Sequence, residues 1–262
     1  QKAGMKVLGV EPAQEIAAQA NLKGLLTIPD FFTEDVVLSI LKDHGPAKVI
    51  TANYMFANIN DVVSFTKLVK TLLDKEGLFI VQTGYHPEQM KMKMFDYIYH
   101  EHFSYFTLEV IRNLFNQCGL ELLSAVKTSP KGGSIRVIAQ LKGGKLGIDK
   151  SVSEIILDEQ RSGMKEEEVY KKFALEINDL RDSLLDLLRD YKNLGLRIVG
   201  FGASHSTTTL TYHFKLLDYM EYIVDDNELK HGRFSPGYNL PVYPTQKLYE
   251  DCPDVVMINS PC

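Results

Sequence analysis

Four short apolar runs, MKVLGV at 5–10, LLTIP at 25–29, KVITANYM at 48–55 and GLFIVQTG at 77–84, alternate with helix-like segments. This alternation constrains the fold most. Runs of four to eight residues suit strands, and the segments between them, AQEIAAQANLKG, TEDVVLSILKDHG and DVVSFTKLVKTLLDKEG, have the length a parallel crossover needs. The pattern predicts an α/β fold with a parallel sheet of the doubly wound kind. Ligands on such sheets sit beyond the carboxyl ends of the strands, where Glu11, Asp30, Ala52 and Asn53 fall.

Further along, Thr107 is an expected N-cap for LEVIRNLFNQC, with Gly119 ending that helix. ELLSAVKT and SIRVIAQL read as paired strands around SPKGG, which closes a first domain at residues 1–145. Residues 146–193 read as a helical connector, with Val169, Phe173, Ile177, Leu180, Leu184 and Leu187 returning every three or four positions. Such a seam fits either a helix packed on a domain or a dimerising coiled coil. From 194 to 262 a strand, a glycine turn and a helix start (LRIVGFGASHSTTTLTYHF), then YIVDDN, LPVYP and DVVMINS, read as a second, smaller Rossmann-like domain.

A chain of 262 residues holds two ordinary domains. Its formal charge of −5 excludes a phosphate-tracking nucleic-acid binder, so an anionic ligand must be held locally. Cys118, Cys252 and Cys262 are scattered and odd in number, which suggests neither a disulfide framework nor a zinc knuckle and points to a reducing, cytoplasmic setting. No apolar run reaches the length of a membrane span, and Gln1 in place of an initiator methionine suggests that something upstream is missing.

The chemistry concentrates in Tyr99-His100-Glu101-His102, inside FDYIYHEHFSYF. An imidazole titrates near neutral pH, and a neighbouring carboxylate can fix its tautomer, as a general base requires. The cluster also admits a structural network or a metal, although two histidines at i, i+2 are not the helical HExxH pair. Glu11 suits the hydroxyls of a ribose or the cap of the helix after Pro12. Asp30-Phe31-Phe32 offers an acceptor and an aromatic face for adenine, or a turn cap with two core rings. Gly200, Gly202 and Ala203 permit close approach of phosphate at a helix N-terminus, and the hydroxyls of Ser204, Ser206, Thr207, Thr208 and Thr209 suit phosphate or capping equally. Lys131-Gly132-Gly133-Ser134-Ile135-Arg136 puts a cation beside a turn, where Arg136 can meet a phosphate or a sugar hydroxyl.

Taken together, VLGVEPAQEIA, IPDFF, ANYMFANIND, FDYIYHEHFSYFTL, GGSIRV, IVGFGAS and VDDNELKHGRFSPGYNLPV run in one order from end to end. In these segments the chain resembles the bacterial sugar C-methyltransferases, S-adenosylmethionine-dependent enzymes acting on a carbon of a nucleotide-linked keto-deoxysugar. The resemblance implies a Rossmann-like methyltransferase domain that opens after its first strand, followed by the smaller Rossmann-like domain, with zinc confined to a missing N-terminal part. It implies that a proton leaves the carbon alpha to the ketone and that the resulting enolate attacks the sulfonium methyl. Carried over by position, His102 is the base, Glu101 its orienting partner and Tyr99 a donor to substrate oxygen. Glu11, Asp30, Phe31, Ala52 and Asn53 line the S-adenosylmethionine site; Asn58, Ser134, Arg136, Gly200, Gly202 and Ser204 face the sugar nucleotide. The chain departs from the family in having Asn58 where a histidine is common, in QTGYHPEQMKMKM, and in SHSTT after GFGA. Two other readings remain open: a nicotinamide-dependent oxidoreductase using the GFGAS turn, and a non-catalytic sugar-nucleotide binder.

Overall fold

The computed structural model describes residues 4–259, so the expectations resting on Gln1 and Cys262 lie outside the described residues. The chain runs β1 (Gly9–Val10), α1 (Gln14–Leu22), β2 (Thr27–Ile28), α2 (Glu34–His44), β3 (Ala47–Asn53), α3 (Val62–Leu72) and β4 (Leu73–Gly84). It continues through α4 (His86–Lys91), α5 (Leu108–Gln117), β5 (Leu120–Thr128), β6 (Ser134–Leu141), α6 (Lys150–Arg161) and α7 (Glu167–Asn193). The last part holds β7 (Ile198–Phe201), α8 (His205–Phe214), β8 (Ile223–Asp225), β9 (Val242–Pro244), α9 (Lys247–Asp251) and β10 (Val255–Ile258).

Two compact units result. The first takes residues up to Thr83, Phe106–Thr128 and Ile135–Asp158. In it β1 and β2 pair in parallel, and a four-stranded sheet has the order β3-β4-β6-β5, with β3 and β4 parallel. β1 and β2 are shorter than the apolar runs predict. Pro12 and Pro29 follow them closely, and proline cannot donate to a ladder. Helices α2, α3 and α5 start where their caps stand: the Thr33 hydroxyl accepts from Val36 N–H, Asp61 from Ser64 N–H and Thr107 from Val110 N–H. Val36, Val37 and Ile40 of α2 and Leu72 of α3 pack with Val10, Ile28 and Ile50, tying both sheets to one core. Phe56, Phe79, Phe106 and Phe115 form its aromatic part, with Phe56 and Phe106 centroids 5.1 Å apart.

The second unit takes Gly84–Tyr105, Ser129–Ser134 and the chain from Glu159 onward. Its sheet has the order β10-β7-β8-β9 and every pair is parallel. Ile198, Phe214, Leu216 and Met220 form the core, and α7 packs Ile177 and Leu188 into it. Leu187, expected on the core side, is exposed, because three turns of 3.6 residues carry the buried face from Ile177 to Leu188.

The units interleave, whereas the sequence suggested boundaries at 145 and 193. Residues 84–105 and 129–134 belong with the second unit because of what they touch. Tyr85 N–H donates to the Gly133 carbonyl, and a Cβ on Gly133 would stand 2.5 Å from Glu88 Cβ, so that turn and α4 pack closely. Phe95 then stacks on Phe214 of α8 at 5.0 Å.

Candidate active site

The YHEH segment is a tight turn in the second unit, closed by the His102 N–H donating to the Tyr99 carbonyl at 3.0 Å. Its geometry fixes the tautomer of His102. Nδ1 lies 2.9 Å from the Tyr97 carbonyl oxygen, and a carbonyl can only accept, so Nδ1 carries a proton and in the neutral ring the lone pair is on Nε2. Around the half-buried ring stand three tyrosines: Tyr99 at 4.4 Å between centroids, Tyr105 edge-on at 6.1 Å and Tyr97 stacked at 6.3 Å. Burial pushes the Tyr99 phenol up, and the Glu101 carboxylate pushes it further, so Tyr99 stays protonated at neutral pH and able to donate.

Glu101 does not do what the sequence suggested. The partner that orients His102 is the Tyr97 carbonyl, and Glu101 makes no hydrogen bond or ion pair with His102. Its Oε1 instead faces His205 Nε2 at 3.6 Å, and the His205 ring stacks parallel to Tyr99 at 6.2 Å. Thr209 Oγ1 donates to the Ile98 carbonyl, and Ser206 is near enough to the Asp96 carboxyl to favour its ionised form. The first turns of α8 are thereby fastened to residues 96–101.

The glycine turn before α8 is built for close packing. Gly202 has φ +95, and a Cβ on Gly200 would fall 2.2 Å from Asn259 Nδ2. The Ser204 hydroxyl accepts from Thr207 N–H while Thr207 Oγ1 accepts from Ser204 N–H, a reciprocal capping box. Ser204 and Thr207 thus serve the cap of α8. Asp225, at the end of β8, accepts from Ala203 N–H at 2.7 Å, from Asn227 N–H and from Lys230 Nζ. The acidic residue that a dinucleotide fold commonly turns to a ribose is thus already engaged with the glycine turn.

In the first unit, the parallel pairing of β1 and β2 brings Glu11 and Asp30 to neighbouring strand ends. Glu11 Oε1 accepts from Ala13 N–H, capping the following turn, while Oε2 has no partner among the described residues. Asp30 Oδ1 accepts from Phe31 N–H. The two phenylalanines divide: Phe32 packs into the core, whereas Phe31 is 68% exposed. Ala52 is buried inside β3, and Asn53 is exposed at its end, opposite Gln82 of β4. Asn58 lies in the short turn Phe56–Asn58, and its buried Oδ1 has no hydrogen-bond partner among the described residues. Arg136 is exposed on β6, its Nε donating to Gln82 Oε1 at 2.9 Å. Ser134 is assigned to the second unit, fully buried, its hydroxyl donating to the Pro130 carbonyl.

Four residues that sequence reasoning left without a role gain one from these contacts. Asp96 is a buried carboxyl whose pKa burial raises against the pull of Ser206. Its place within FDYIYHEHFSYF was the available signal. His86 is pushed down by burial, stacks on Tyr170 at 5.8 Å and tilts against Tyr105. Asp225 and Gln82 carried no signal beyond standing at strand ends. Among the described residues no group of three or more His, Cys, Asp and Glu side chains is placed to hold a metal ion, and no helix is long and apolar enough to cross a membrane.

Residues 129–260 match the family model described as the C-methyltransferase C-terminal domain, and residues 1–125 match one described as a methyltransferase domain. C-methyltransferase NovU of Streptomyces niveus is 32% identical over 258 residues, covering 98% of this chain and 61% of that protein. The chain therefore spans about three-fifths of the length of the curated relative it matches. Similar solved structures include magnesium protoporphyrin IX methyltransferase from Synechocystis PCC 6803, with TM-score 0.41, 13% identity and 54% of this chain against 66% of that one. An S-adenosylmethionine-dependent methyltransferase from Clostridium acetobutylicum ATCC 824 aligns with TM-score 0.39, 14% identity and 53% of this chain against 76% of that one. Likenesses at that level carry no argument about function.

Proposed function

Because the chain belongs to the C-methyltransferase family, we propose that the protein moves a methyl group from S-adenosylmethionine to the carbon alpha to the ketone of a nucleotide-linked keto-deoxysugar, in the cytoplasm. The observation that carries this reading is the His102 tautomer: an imidazole whose Nδ1 proton is held by a backbone carbonyl presents Nε2 as a proton acceptor, with a neutral phenol 4.4 Å away between ring centroids. On this reading the first unit holds the donor, and the second, with its parallel β10-β7-β8-β9 sheet, is the Rossmann-like sugar-nucleotide domain.

The residues present fit the nucleoside end of the donor. Glu11 keeps one carboxylate oxygen without a partner for a ribose hydroxyl, Asp30 offers an acceptor and Phe31 an exposed ring face for adenine. When bound, S-adenosylmethionine supplies the electrophilic methyl that the substrate carbon takes.

The chain's own groups do the proton work. His102 Nε2 takes the carbon-bound proton, and the positive charge that then spreads to Nδ1–H is stabilised by the Tyr97 carbonyl. The pair of electrons left on carbon delocalises onto the ketone oxygen, and the Tyr99 phenol donates to that oxygen where the charge gathers. Glu101, facing His205, balances charge beside Tyr99 rather than orienting the base. Gly200, Gly202 and Ser204 shape the sugar-nucleotide side.

The test is methyl transfer from labelled S-adenosylmethionine to a panel of keto-deoxysugar nucleotides by the intact gene product. Transfer to carbon, lost in His102→Gln, supports the reading. Methylation of oxygen or nitrogen only, or tight NADH binding without donor binding, would overturn it.

A further inference from the structure

At the carboxyl end of the parallel β3–β4 pair, three side chains of the first unit form a hydrogen-bonded chain. Arg136 Nε donates to Gln82 Oε1 at 2.9 Å, and Gln82 Nε2 donates to the Tyr54 hydroxyl. Gln82 is 8% exposed, so this amide is an interior group with both of its ends committed. Tyr54 reaches it because its backbone is left-handed, with φ 54, and its N–H donates to the Gln82 carbonyl at 2.7 Å. Left-handed backbone is costly for a residue with a β-carbon. Here it turns the chain at once after β3 and brings the phenol onto Gln82.

The charge at the end of this chain is not neutralised. A guanidinium fixed through Nε most often has a carboxylate partner, but Gln82 is neutral, and Arg136 makes no ion pair among the described residues. Its side chain is exposed, and Nη1 and Nη2 make no hydrogen bond among the described residues. A planar fork held at one edge, with its other edge open and its full charge uncompensated, matches the two oxygens of a phosphate or carboxylate. In a chain of net charge −5, an uncompensated cation is a local attraction for an oxyanion that the overall charge does not supply.

We propose that Arg136, Gln82 and Tyr54 form an oxyanion-binding site in the first unit, with Gln82 as the positioning residue that aims the guanidinium without cancelling its charge. Resting on the reading above, the oxyanion belongs either to the diphosphate of the sugar nucleotide or to the carboxylate of the methyl donor.

The experiment is calorimetric titration of the intact protein and its variants with UDP, with inorganic pyrophosphate and with S-adenosylhomocysteine. Gln82→Glu is nearly isosteric, still accepts from Arg136 Nε, and adds a negative charge beside the guanidinium. Gln82→Leu removes the hydrogen bond but leaves the site's charge unchanged. The site predicts that Glu weakens one of the two ligand classes by about tenfold or more at low salt, that Leu weakens it by about threefold, and that the Glu defect shrinks as salt screens it. The class affected identifies the source of the oxyanion, phosphate for UDP and pyrophosphate or carboxylate for S-adenosylhomocysteine. If Gln82 were only scaffolding, the order would reverse, with Leu worse than Glu. That reversal, equal binding by wild type and Gln82→Glu, or no binding of any of the three ligands by wild type, overturns the proposal. These outcomes are separate from methyl transfer: a protein that binds but does not methylate retains the site and loses the function proposed above.

Discussion

Replacing Asp225 with asparagine tests whether this carboxylate holds the glycine turn before α8. Oδ2 takes Ala203 N–H at 2.7 Å and Lys230 Nζ at 2.9 Å, while Oδ1 takes Asn227 N–H at 2.8 Å. An amide keeps one accepting oxygen. If that oxygen stays at the Ala203 side, Asn227 N–H faces an NH2 group and loses its partner, at about 1 kcal/mol or less because Asn227 is exposed and water can take the acceptor's place. The two remaining bonds lose their charged acceptor, roughly 1 kcal/mol each, less for Lys230, whose side chain is 35% exposed. The expected loss is about 1–3 kcal/mol at neutral pH. Its pH dependence follows from the wild-type group. Burial works to raise the Asp225 pKa, but Ala203 N–H, Lys230 and Asn227 N–H outweigh it, and the carboxyl sits below its ordinary value. A depressed carboxyl contributes stability above its unfolded pKa of about 3.9, and that contribution disappears as pH falls through the folded value. Urea unfolding of both proteins from neutral pH downward should therefore show a gap that closes in acid. A gap under about 0.5 kcal/mol at pH 7, or one that stays constant into acid, would refute the reasoning.

Phe31→Ala should leave the urea midpoint nearly unchanged, within about 0.5 kcal/mol for a side chain already in solvent, while weakening S-adenosylhomocysteine binding about tenfold by calorimetry. Gly200→Ala should destabilise the second unit by about 1–3 kcal/mol in thermal unfolding, because the new Cβ would stand 2.2 Å from Asn259 Nδ2 and 3.0 Å from Met220 Sδ.

The strand and helix alternation was legible in the sequence because apolar runs mark the strands and the helices between them repeat their apolar positions every three or four residues. Thr107 and Gly119 bounded α5 as expected, and the β7–turn–α8 unit follows from LRIVGFGASHSTTTLTYHF. What the sequence did not carry is partner choice. Glu101 stands next to His102 in the chain, so local reasoning joined them, yet its counter-group His205 comes from α8. His102 is oriented by a backbone carbonyl, and backbone atoms leave no mark in a sequence pattern. Tyr54 and Gln82 escaped notice because a left-handed φ in a tyrosine has no signature of the kind glycine gives. The interleaving of the two units is likewise a matter of packing: α4 joins the second unit through Gly133 and Phe95, which reach it across different parts of the chain.

The central claim is that His102 Nε2 removes a proton from the carbon beside a ketone, and exchange of that proton with solvent reads the step directly. The intact protein is incubated in D2O with a keto-deoxysugar nucleotide that it methylates and with S-adenosylhomocysteine, and deuterium at the alpha carbon is followed by NMR. The account predicts exchange well above the uncatalysed rate in wild type and a loss of about 10²-fold or more in His102→Gln. Exchange in His102→Gln at the wild-type rate would contradict it.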